Sequence, residues 1–86
     1  MNWNERIQAI YKILNGAGKA NVIDQMIAVY GIGGTVGEQF SIICTWLAKL
    51  RNHDRETYGL IKEHADFILQ EGINIKYFTE SYYKKQ

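Results

Sequence analysis

Apolar residues recur along this chain at steps of three and four, the spacing that lays a single stripe along an α-helix, and polar or glycine-rich breaks cut the pattern into segments. Trp3, Ile7, Ile10, Tyr11 and Leu14 form the first stripe, with Asn2 or Asn4 available as its N-cap. Asn15-Gly16-Ala17-Gly18 supplies its stop, because glycine takes the left-handed geometry of a C-terminal cap. A second helix is expected from about Asn21 to Tyr30, with Val22, Met26, Val29 and Tyr30 on one stripe and Ile23 and Ile27 widening it.

Gly31-Ile32-Gly33-Gly34 breaks the pattern, and Thr35-Val36-Gly37-Glu38 then has the spacing of a capping box, so a third helix is predicted over about residues 36–51. Phe40, Ile43, Cys44, Leu47 and Leu50 mark its main face, while Ile42, Trp46 and Ala48 add apolar surface on the flanks. This breadth makes it the central helix, covered on more than one side. Asn52-His53-Asp54 predicts a left-handed stop and then a fresh N-cap, and the fourth helix carries Tyr58, Ile61, Ala65, Ile68 and Leu69 before an expected end at Gly72.

Residues 73–86 fit two patterns. Ile73, Ile75 and Tyr77 alternate as in a strand, yet Asn74 can cap a helix with Tyr77, Phe78 and Tyr82 on one side. A short helix is the expectation, because a lone strand leaves its backbone groups unpaired. The whole reads as an all-α chain, a compact bundle of four or five short helices forming one domain over residues 1–86, with short connections that make neighbours antiparallel. A chain of 86 residues supports one hydrophobic core, and 47% apolar content separates it from disordered sequences.

Charge narrows the partners. Ten basic and nine acidic residues are interspersed for a net charge of +1, which gives no overall field to hold nucleic acid or an anionic membrane. Cys44 is the sole cysteine, so no intramolecular disulfide forms and a reducing compartment fits. The first residues lack the basic and apolar regions of a signal peptide, and no apolar run reaches the ~20 residues that span a bilayer. A cytoplasmic protein without membrane contact is the expectation.

Four kinds of chemistry compete with plainer roles for these residues. Gly16-Ala17-Gly18-Lys19 lacks the earlier glycine and the following hydroxyl residue of a phosphate loop, so helix termination is the better reading. His53, Asp54, Glu63, His64 and Asp66 offer metal-binding atoms, but no histidine pair stands at i, i+4, and solvated surface or capping explains them. Cys44 has no base beside it and reads as an inert core thiol, while Ser41 and Thr45 are expected to bond back to carbonyls one turn earlier. A helix-turn-helix through the second and third helices would present Phe40, Ile42, Ile43 and Trp46 to base edges, which is the wrong chemistry. The expectation is no enzyme, no metal and no cofactor.

Tyr77, Tyr82 and Tyr83 with Lys84 and Lys85 are the residues hardest to place in a core, since tyrosine beside basic groups suits protein interfaces. Arg51 and Arg55 form, with Lys49 and His53, a second basic cluster at the connection between the third and fourth helices. The resulting expectation is a small binding or regulatory module that occludes a surface on a larger protein, in the manner of inhibitor, immunity or phage-encoded modulator proteins, with pairing to a second copy also compatible with its size. The alternative is a small helical nucleic-acid binder using Arg51, Arg55, Lys76, Lys84 and Lys85.

Overall fold

The computed structural model describes residues 2–30 and 34–74, so Tyr77, Tyr82, Tyr83, Lys84 and Lys85 lie outside the described residues. Among the described residues, four helices follow in chain order: α1 (Trp3–Gly16), α2 (Ala20–Tyr30), α3 (Val36–His53) and α4 (Arg55–Asn74). No strand occurs among the described residues.

Asn2 caps α1: its side chain accepts from the Glu5 amide at 2.9 Å while the Glu5 carboxylate reaches back to the Asn2 amide. The far end closes through Gly18 at φ +71°, with the Lys19 amide donating to the Leu14 carbonyl and the Gly18 amide to that of Asn15. This pair of bonds satisfies the last carbonyls of the helix, and the left-handed residue between them is a glycine for steric reasons. Thr35 caps α3 by accepting from the Glu38 amide at 3.1 Å. The Glu38 carboxylate accepts from the Thr35 hydroxyl and not from its amide, so the box is half formed.

α1 packs against α2 and α4, and α3 packs against the same two, so the helices stand in a ring in chain order. Lys19, after α1, lies 3.9 Å from Glu56 at the start of α4. At the other end Trp3 meets Phe40 edge to face, ring centres 5.0 Å apart, and Tyr30 at 6.3 Å. Neighbouring helices therefore alternate in direction, the arrangement that short connections impose. Ile10, Leu14, Ile43, Leu47, Ile68 and Leu69 are fully buried at the ring's centre, each worth about 1.5–3 kcal/mol of removed apolar surface. α3 carries seven buried side chains, Cys44 and Trp46 among them, and α4 has seven buried residues too, so α3 is one of four helices in the ring and not its centre.

Three local expectations are corrected. Asn52 is not a left-handed stop: it stays within α3 and its side chain donates to the Ala48 carbonyl at 3.1 Å. Asp54 alone makes the turn, at φ −145°, ending α3 with its amide and opening α4 with its carboxylate. Gly72 does not end α4, which runs on to Asn74; it occupies the buried stripe of Ile61, Ala65 and Ile68, where packing outweighs its poor helix propensity. Residues 73 and 74 thus belong to α4, and Ile73 packs on the core. Tyr11, placed on the buried stripe by its spacing, is 44% exposed at the edge of the α1 face.

Candidate functional site

Among the described residues, a groove opens along the seam between α1 and α2. Along α1, Ile7 faces the core while Asn4, Gln8 and Tyr11 line the near wall of a groove; Met26, Ile27 and Tyr30 line the far wall. The groove encloses about 300 Å³ and no charged side chain lines it. Ile27 on its rim is 58% exposed, the surplus breadth of the α2 stripe turned outward instead of inward. One end is fixed by the Tyr30 hydroxyl, which donates to the Asn4 side chain at 2.8 Å, and by the Trp3 ring beside it.

The second place is the corner where α3 hands over to α4. Arg51, Asn52, Arg55, Tyr58, Gly59 and Lys62 line a cleft of about 350 Å³ there. Arg51 and Arg55, singled out from the sequence, are brought together, and Lys62 joins them from one helical stripe further along α4. Lys62 donates to Asp66 at 2.6 Å, and the Tyr58 hydroxyl donates to the other oxygen of the same carboxylate. The remaining members of the predicted basic cluster turn the other way: Lys49 and His53 border a separate hollow with Val22, Trp46, Leu50 and Asp54. The Thr57 hydroxyl and amide both hydrogen-bond the Asp54 carboxylate and hold its pKa below the ordinary aspartate value.

A third feature ties α1 to α4. The Arg6 guanidinium lies 4.1 Å above the Phe67 ring and contacts His64 Nδ1 at 3.1 Å. His64 is therefore half-buried at a helix seam and not on solvated surface, as its spacing alone implied. Arg6 Nε is buried without a hydrogen-bond partner.

Among the described residues, no group of three or more His, Cys, Asp or Glu side chains comes together to hold a metal ion. Cys44 is fully buried, and desolvation pushes its thiol up to about 12, so the nucleophilic thiolate is suppressed. Thr45 donates to the Ser41 carbonyl at 3.0 Å, as its position predicted. No described helix is long and apolar enough to cross a membrane.

Sequence reasoning missed the α1–α2 groove and Lys62. The signal for the first was present in Ile27, one apolar residue too many for a half-covered helix. For the second, Arg55, Gly59 and Lys62 stand at i, i+4 and i+7, one face of α4. Searches of family models, curated proteins and solved structures found nothing that matches this chain.

Proposed function

We propose that this chain is a binding module that occludes part of a larger protein by receiving one of that protein's helices in the α1–α2 groove. The observation that carries this reading is the exposed, uncharged channel between Tyr11 and Ile27. A groove walled by two helices accepts an amphipathic helix whose anchors recur at i, i+3 and i+4. With no charge in its lining, the groove favours aliphatic or aromatic anchors over charged ones, because a charge buried there would lack a partner. Tyr30, tethered to Asn4, offers a ring whose ordering cost is already met in the free protein. Tyr77, Tyr82 and Tyr83 with Lys84 and Lys85 add a second contact element in the same reading, for the compositional reason that tyrosine is enriched in interfaces.

The test places a photo-crosslinking residue at Gln8 in the full chain, identifies what it captures, and measures binding of the purified captured protein. Support requires a crosslink to a helix of another protein, with affinity reduced about tenfold or more by Ile27→Asp while the helical circular dichroism is unchanged. Crosslinks confined to a second copy of this chain would overturn the reading in favour of self-association. Binding that survives Ile27→Asp but is lost when Tyr77, Tyr82 and Tyr83 are replaced together would overturn the groove and move the contact to the C-terminal segment.

A further inference from the structure

We propose that the C-terminal segment of this chain, residues 75–86, docks its tyrosines in the α1–α2 groove of its own molecule and closes that groove until a partner displaces it. The first observation is where α4 ends. The helices alternate in direction, so α4 finishes at the end of the bundle where α1 begins and α2 stops, the end closed by Trp3, Phe40 and Tyr30. Ile73 packs on the core there, so the chain leaves α4 against the bundle. The groove starts at the same end, where the Tyr30 hydroxyl is bonded to Asn4. The hollows lined by Arg55, by His53 and by Gly18 lie at the opposite end, near Lys19 and Glu56. Arg55 opens the 20-residue α4, about 30 Å along the helix from Asn74.

The second observation is reach. Twelve residues follow Asn74, and fully extended they span about 40 Å. From α4 over α1 to the groove is roughly 15 Å, one and a half interhelical spacings. Following the groove from Asn4 to Tyr11 adds about 10 Å. Tyr82 and Tyr83 come late enough in the segment to reach the stretch between Tyr11 and Ile27, and Phe78 reaches its near mouth.

The third observation is chemical fit. From Tyr77 to Tyr83 the segment has four aromatic residues and one charge, Glu80. A buried tyrosine needs a partner for its hydroxyl, and the Asn4 and Gln8 amides in the groove wall can donate and accept without introducing a charge. The α3–α4 corner is the poorer host, because Arg51, Arg55 and Lys62 line it and the segment carries Lys76, Lys84 and Lys85. Tethering sets an effective concentration on the order of mM, so a shallow contact suffices to populate the closed form.

Closure regulates the groove, a consequence that rests on the reading that a partner helix enters it. The partner meets only the open fraction, and its apparent Kd is the intrinsic value divided by that fraction. Displacement also frees Tyr82 and Tyr83 to touch the rest of the partner.

The test places a spin label on Ser81→Cys in the full chain, where the buried Cys44 is shielded from the reagent, and reads amide broadening by NMR. Gln8, Tyr11 and Ile27 are expected to lose most of their intensity while His53 and Arg55 keep theirs. Ile27→Asp should restore the lost signals with unchanged circular dichroism. Tyr82→Ser with Tyr83→Ser, which alters none of the described residues, should restore them too. Adding the protein captured through Gln8 should abolish the broadening as the segment is displaced; broadening that persists in that complex would overturn the regulation. Absent broadening, or broadening spread evenly over the surface, would overturn the docked segment and leave the partner reading standing. Broadening found only between a labelled chain and an isotopically enriched second chain would overturn it in favour of exchange between copies. Failed capture with intact broadening would remove the partner reading and its regulation but not the docking.

Discussion

The α3–α4 hairpin buries Phe40, Ile43 and Leu47 on one helix and Ile61, Ile68 and Leu69 on the other, each at 1% exposure or less. The α1–α2 hairpin buries three side chains per helix and leaves Tyr11 and Ile27 to solvent, while the second hairpin leaves Val36, Leu60 and Phe67 exposed. Length accounts for part of the difference, since α3 and α4 have 18 and 20 residues against 14 and 11 for α1 and α2. The rest is the choice of residues, because α2 is the most apolar helix by composition and still exposes Ile27. The second hairpin therefore supplies more of the buried side chains than the first, and the first turns its apolar surplus at Tyr11 and Ile27 toward the groove.

The sharpest way to break this contrast is a pair of truncations. Leu47→Ala should cost about 2–5 kcal/mol in urea denaturation, a large share of what a domain this small holds. Ile27→Ala should stay within about 0.5 kcal/mol. Equal losses at the two positions would erase the distinction between the hairpins. A smaller effect of opposite sign is expected at Gly59, where alanine meets open space on the surface of α4. Gly59→Ala should raise stability by roughly 0.5–1 kcal/mol, read as a higher denaturation midpoint at unchanged slope.

The subtlest prediction concerns the hinge of the second hairpin. Asp54 has a folded-state pKa below its ordinary value, so its charge contributes stability that is complete above the unfolded-state carboxylate range and disappears as pH falls through the lower folded value. Asp54→Asn keeps a competent N-cap and removes the titration. The stability gap between wild type and this variant should be flat near neutrality and close on acidification; a gap independent of pH would falsify a role for the charge.

The four described helices, their order and most of their caps were legible in the sequence, because each has its own three- and four-residue stripe and a polar or glycine break beside it. The errors share a cause. Gly72 looked like a stop because local propensity favours that reading, but its position on the stripe of Ile61, Ala65 and Ile68 places it where burial decides. Tyr11 looked buried because it lies four residues after Ile7, but it stands at the margin of the stripe and the neighbouring helix does not reach it. The candidate sites were half legible. Arg51 and Arg55 are close in sequence and were seen together, whereas Lys62 joins them only through the turn of α4, and the α1–α2 groove depends on which seam of the ring stays open.

Cys44 sits at the middle of α3 with its sulfur facing the Ile68 carbonyl at 3.8 Å, out of reach of water. A single shielded thiol makes the molecule its own recorder of opening events: a thiol reagent can mark it only while the second hairpin is parted. The rate of labelling then measures how often that happens, and binding in the α1–α2 groove would register as a slower clock.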